Sequence, residues 1–130
     1  MMNILIVEDN VSLRKMMKDI LVAELHFATI AEASNVKETF IEISKNLPDI
    51  IIMDLKLKKE NGLKLTQLVK KKHPQIKIAI NTNYDSLEYR KAAQQKGADV
   101  FLSKKTNNVG DIIALTKFVY EDKSRQSEPI

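Results

Sequence analysis

A single α/β domain, built on a five-stranded parallel sheet with helices on both faces, is the fold class this sequence predicts. Short apolar runs alternate five times with longer stretches of helical period. Several of those runs are nearly continuous rather than alternating, the pattern of strands covered on both sides. The chain has 130 residues, which suits one domain. Strict alternation of strand and helix implies parallel pairing, because each parallel pair needs a crossover between its strands.

The elements follow in order. Asn3–Val7 (NILIV) is the first strand, and residues 12–24 form a helix with Leu13, Met17, Ile20 and Leu21 at helical spacing. Ser12 is the candidate cap of that helix. Phe27–Ala31 is the second strand. The helix after it carries Val36, Phe40, Ile43 and Leu47 on one face, opens on Asn35 with Glu38 three residues on, and stops at Pro48. Asp49–Asp54 (DIIIMD) is the third strand, and Gly62 opens a helix that ends before Pro74. Ile76–Ile80 is the fourth strand. Asp85 with Glu88 starts a helix that Gly97 closes. Val100–Ser103 is the fifth strand, and residues 109–122 form the last helix with Ile112, Leu115 and Val119. The folded domain is expected to cover residues 1–122, with a polar tail from Lys123 to Ile130 that frays. Units of this length suit a flavodoxin-like doubly wound sheet of strand order 2-1-3-4-5. Ligands in such sheets bind beyond the carboxyl ends of the strands, near the switch point.

Composition excludes several function classes. The chain is 44% hydrophobic, enough for a real core, and it has no cysteine. Disulfides and thiolate metal sites are therefore excluded, and a reducing cytoplasm is the expected location. Glu8 and Asp9 interrupt the first apolar run too early for a secretory signal. The run Ile50–Met53 is far short of the roughly 20 residues a spanning helix needs, so no membrane role is expected. The net charge is +4, with lysines crowded between Lys56 and Lys77. They alternate with Leu57, Leu63, Leu65, Leu68 and Val69, and no aromatic residue sits among them to stack on bases. A solvated helix surface explains them better than nucleic-acid binding.

Chemistry collects at the strand ends. Strand one ends in Glu8-Asp9, strand three in Asp54, strand four in Asn81-Thr82 and strand five in Ser103-Lys104. If strands one and three are neighbours, three carboxylates converge and repel unless a cation intervenes. Hard oxygen donors in an incomplete cage are what Mg²⁺ accepts, since it keeps waters and shares phosphate oxygens. Thr82 and Lys104 would add a hydroxyl and a positive charge for a bound anion. Singly, each residue could be a helix cap, a turn or a surface lysine. Four such accidents on one sheet edge are harder to accept than one site. His26 and His73 lie far from this cluster in the expected fold.

The sequences IVEDN at 6–10, IIIMDLKL at 50–57 with Gly62 beyond it, NTNYD at 81–85 and GADVFLSK at 97–104 resemble receiver domains of two-component response regulators. The likeness covers residues 2–122. It implies that Asp54 is the phosphoacceptor, that Asp9 is a direct Mg²⁺ ligand and that Glu8 acts on the ion through water. The Lys56 backbone carbonyl matches the third protein ligand. Thr82 matches the hydroxyl that turns toward the phosphoryl group, Lys104 the lysine that pairs with it, and Phe101 the switch aromatic. Lys56 and Tyr84 flank the path of attacking water and are expected to tune the lifetime of the phosphorylated form.

The resemblance further implies a sensor histidine kinase or histidine phosphotransfer protein as donor. The output partner would read the face of helix four, strand five and helix five, with phosphorylation-dependent homodimerisation as one outcome. No turnover of an external substrate and no direct DNA binding are expected, since no helix-turn-helix or catalytic segment is seen past residue 122. Three positions depart from the family pattern. Lys58 and Lys105 stand where proline is common, which predicts a looser loop after Asp54 and a shifted Lys104. Asn83 stands where a small residue is typical, which predicts a narrower pocket. Two other functions compete: a degenerate receiver that binds partners without phosphorylation, and a Mg²⁺-dependent phosphate-ester hydrolase of the same architecture. Retention of Glu8, Asp9, Asp54, Thr82 and Lys104 argues against the first. The absence of a cap insertion argues against the second.

Overall fold

The computed structural model describes residues 1–126. The elements are β1 (Met2–Val7), α1 (Val11–Glu24), β2 (Ala28–Ala33), α2 (Val36–Lys45), β3 (Ile50–Met53), β4 (Lys56–Leu57), β5 (Glu60–Asn61), α3 (Gly62–Lys72), β6 (Lys77–Thr82), α4 (Leu87–Gln95), β7 (Val100–Ser103) and α5 (Val109–Gln126). Five strands form one parallel sheet in the order β2-β1-β3-β6-β7. Counted along the chain these are strands 2-1-3-4-5, the predicted flavodoxin-like order. No helix among the described residues is long and apolar enough to cross a membrane.

Strand parity separates two cores, because successive side chains point to opposite faces. Leu5, Val7, Ile51, Met53, Ile78 and Ile80 pack on one face with Ile43 of α2, Leu65 and Val69 of α3 and Ala93 of α4. Ile4, Ile6, Ile50, Ile52 and Ala79 pack on the other with Met17 and Leu21 of α1 and Ile112 of α5. All four residues of β3 are buried, which explains its unbroken apolar run.

Several boundaries differ from the sequence reading. The second strand is Ala28–Ala33 rather than Phe27–Ala31. Phe27 instead stacks on Tyr120 of α5 with ring centroids 4.1 Å apart, and pairing of Val7 with Ala33 carries the ladder further. Asn10, not Ser12, caps α1 by accepting the Leu13 N–H at 3.0 Å. Ser86, not Asp85, caps α4. Asn35 accepts the Glu38 N–H as predicted, but Glu38 reaches back to Ser34 rather than to Asn35. Gly97 ends the turn after α4 at φ 104°, where an L side chain would be strained. The last helix continues past 122 to Gln126; residues 127–130 of the expected tail lie outside the described residues.

The β4–β5 hairpin was not predicted, being two residues per strand. Its turn holds Lys58 at φ 47°. Proline, fixed near −65°, could not sit there. The loop after Asp54 is thus closed by a hairpin that the lysine permits.

Candidate functional site at the carboxyl edge of the sheet

Parallel register brings the site together. Val7 is opposite Met53, Met53 opposite Ile80, and Thr82 opposite Ser103. Glu8 and Asp54 therefore leave the sheet at one level, and Lys104, because Ile80 is opposite Phe101, leaves it two residues further along and reaches back to them. Two hydrogen bonds extend the ladder past its ends: Asp54 N–H donates to the Val7 carbonyl at 3.1 Å and Lys104 N–H to the Thr82 carbonyl at 2.8 Å.

Lys104 closes the cluster. Its Nζ lies 2.6 Å from Glu8 Oε1 and 2.8 Å from Asp54 Oδ2. Asp9 is half-buried beside Glu8 and is not engaged by Lys104. Glu8 and Asp54 converge on Lys104 Nζ, and among the described residues no group of three His, Cys, Asp or Glu is placed to hold a metal ion. The cation that quenches the repulsion is the Lys104 ammonium. The chemistry of the donors still suits Mg²⁺. Carboxylates on Asp9 and Asp54 and a carbonyl at Lys56 are hard oxygens, and an ion that retains waters needs only a few of them.

Burial pushes the Glu8 carboxyl up from its ordinary value, against the Lys104 ammonium, and the Asp54 carboxylate adds to the rise. Burial alone would lower Lys104, but its hydrogen bonds to Asp54 and Glu8 outweigh that and raise it. The lysine is therefore held charged in a partly desolvated place, where its field is strongest.

The remaining predicted residues surround this bridge. The Lys56 N–H donates to Asp54 Oδ1 at 3.3 Å, and its exposed ammonium lies 5.1 Å from the centre of the Tyr84 ring. Contact with Tyr84 raises Lys56 from its ordinary value. These two residues line a cavity of about 310 Å³ with Leu55, Lys59, Glu60 and Tyr89. Thr82 is fully buried, and its hydroxyl accepts the Tyr84 N–H at 3.2 Å. Phe101 is half-buried against the core, under the Arg90 guanidinium at 4.8 Å. Asn83 is exposed. Neither histidine takes part: His73 caps the far end of α3, and His26 sits in the turn before β2.

Two residues named in the sequence support the site in ways the sequence reading did not assign. Gly62 opens α3 directly against the acceptor strand end, and its N–H donates to the Leu55 carbonyl at 2.7 Å. A Cβ there would strike the Asp54 carbonyl oxygen and lie 2.7 Å from Leu55 Cα. Glycine eight residues past an acid was the available signal. Asp85, assigned to a helix start, instead accepts the Ser103 hydroxyl at 2.7 Å, which nothing local announces.

Comparisons with known proteins agree with this fold. The family described as response regulator receiver domain matches residues 4–117. The transcriptional regulatory protein DegU of Brevibacillus brevis is 28% identical over 101 residues, covering 78% of this chain and 43% of that protein. The chain spans less than half the length of the first curated relatives it matches, 43%, 35% and 28%. A CheY-like receiver domain protein from Methanospirillum hungatei superimposes with a TM-score of 0.85 at 25% identity, covering 98% of this chain and 99% of that one. A response regulator from Burkholderia pseudomallei, solved with a phosphorylated aspartic acid, calcium ion and citrate, has a TM-score of 0.80 at 25% identity. That match covers all of this chain and 76% of the other.

Proposed function

The chain belongs to the response regulator receiver domain family, and from that premise we propose that it is a phosphorylation-driven signalling switch with Asp54 as acceptor. The observation that carries this is the Lys104 ammonium at 2.8 Å from Asp54 and 2.6 Å from Glu8, a charge poised where a phosphoryl group would arrive.

The donor is a phosphohistidine on a sensor kinase or phosphotransfer protein. An Asp54 oxygen forms the new bond to phosphorus as the phosphorus–nitrogen bond to the donor imidazole breaks. Mg²⁺, held by Asp9, Asp54 and the Lys56 carbonyl with Glu8 acting through water, would supply positive charge toward the transferring oxygens. Lys104 turns from the carboxylates onto a phosphoryl oxygen, so that charge is neutralised on both sides of the group. The Thr82 hydroxyl exchanges the Tyr84 N–H for the phosphoryl oxygen and moves inward. Phe101 turns into the space released, which changes the face of α4, β7 and α5. This is a shift between two populations, biased by charge-assisted hydrogen bonds. A partner protein, or a second copy of the chain, reads that face in the cytoplasm. Lys56 and Tyr84 shield the acyl phosphate from water and set its lifetime. No turnover of an external substrate belongs to this reading.

The test is intact-mass measurement after incubation with acetyl phosphate and Mg²⁺. One phosphoryl adduct on wild type and none on Asp54→Ala is expected. An unmodified wild type would instead favour a receiver that binds partners without phosphorylation.

A further inference from the structure

Two loops border this site, residues 83–86 after β6 and residues 104–108 after β7, and neither contains proline or glycine. Hydrogen bonds must therefore set their shape. Ser103, fully buried at the end of β7, is the hub. Its hydroxyl donates to Asp85 Oδ2 at 2.7 Å and accepts the Lys105 N–H at 3.1 Å. Its N–H donates to Asn107 Oδ1 at 3.0 Å, and its carbonyl accepts the Asn107 N–H at 2.7 Å. Asp85 is fixed from its other side, since Arg90 Nε donates to its carbonyl at 3.1 Å. Helix α4 makes no use of the Asp85 carboxylate, because Ser86 performs the capping. The Ser103 hydroxyl is the leading cause that holds the Asp85 carboxyl below its usual range.

We infer that Asp85 is a positioning residue for Lys104: through Ser103 it clamps the root of the β7–α5 loop at the angle from which Lys104 reaches Asp54. Lys104 follows Ser103 directly, and its backbone is held on one side by the Thr82 carbonyl. The Asp85–Ser103 bond fixes the other side. A tilt at that root is magnified at the tip of a side chain with four rotatable bonds. Two lysines stand in sequence here, so the loop must also select which of them enters the acidic corner. Lys105 Nζ is drawn the other way, 3.7 Å from Asp85 Oδ1. That exposed pair contributes little by itself, and the part-buried bond to Ser103 is the working contact. The inference rests on Asp54 being the acceptor and Lys104 its partner.

The test uses the full chain: acetyl phosphate uptake by intact mass for wild type, Asp85→Ala and Asp85→Asn, with the Lys104 Nζ resonance followed by NMR on ¹⁵N-lysine protein. Asp85→Ala is expected to slow uptake by at least about tenfold, and Asp85→Asn, whose amide oxygen still accepts from Ser103, to stay within about twofold. The Lys104 resonance shifts in the first variant and not in the second. Wild-type uptake by Asp85→Ala, an Asp85→Asn as slow as it, or slowed uptake with an unmoved Lys104 resonance each overturns the inference. Should Asp85→Ala unfold, Ser103→Ala cuts the same contact and is held to the same outcomes. A wild type that takes no phosphoryl group overturns the acceptor reading instead, and the resonance still tests the clamp.

Discussion

Replacing Gly62 with alanine adds one carbon at a place where backbone stands on every near side. The new Cβ would meet the Asp54 carbonyl oxygen and lie 2.7 Å from Leu55 Cα and 2.8 Å from the Leu55 carbonyl oxygen. No flexible side chain is there to yield, so the seam between the acceptor strand end and α3 must open. Overpacking of a tight site costs about 1–3 kcal/mol, and an all-backbone contact belongs at the upper end. Alanine at a helix start returns about 0.5–1 kcal/mol of that. The net loss is then about 2 kcal/mol, a fall in Tm of roughly 6–10 °C for a domain this size. Moving Asp54 by about an ångström would also slow phosphoryl uptake on the order of a hundredfold. Thermal melts followed by circular dichroism and acetyl phosphate uptake by mass read both effects. Gly110→Ala is the control. Its Cβ would meet only the Asn108 side-chain oxygen at 2.8 Å, so a change within about 1 kcal/mol is expected. A Gly62→Ala protein that melts and phosphorylates like wild type would refute the close-approach argument.

Three further perturbations follow from the same contacts. Burial pushes Glu32 upward, but Arg14 at 3.1 Å and Lys18 at 3.3 Å outweigh it and hold its carboxyl below the usual range. Its stabilisation is present above the unfolded value of about 4.3 and is lost as pH falls through the lower folded value. Glu32→Gln should thus lower urea stability by about 1 kcal/mol at pH 7 and converge with wild type in strong acid; a constant gap would contradict this. Lys56→Ala and Tyr84→Ala should each speed loss of the phosphoryl group several-fold, and the double variant no more than the faster single one, because the two side chains form one contact. Parental dephosphorylation rates in both would end the shielding idea. Mg²⁺ at about a hundredfold excess over its Kd should add about 2.7 kcal/mol to unfolding free energy, and Asp9→Asn or a chelator should remove the gain. An equal Mg²⁺ response in Asp9→Asn would take Asp9 out of the ligand set.

Much of the site was legible because it lies at strand ends, and strand ends follow from short-range pattern. The buried run Ile50–Met53 marked where Asp54 must emerge, and Val7 and Ser103 did the same for Glu8 and Lys104. Asp85 shows the limit. Its spacing to Glu88 suggested a helix start, yet Ser86 is one residue nearer the helix and takes that role, which frees Asp85 for Ser103 across the sheet edge. The choice between Asn10 and Ser12 at α1 went the same way.

From the chain alone came the alternation of elements and the set of residues at the strand ends, since apolar periodicity and punctuation by proline and glycine act over a few neighbours. The sheet order was only implied by the likeness to flavodoxin-like folds, and strand pairing established it. Only the folded molecule decided which acid each cation takes. Lys104 reaches Glu8 and Asp54 across 96 and 50 residues of sequence, and Ser103 reaches Asp85 across 18. Such pairings are competitions among several acceptors, and distances of a few ångströms, set by the register of remote strands, determine the winner.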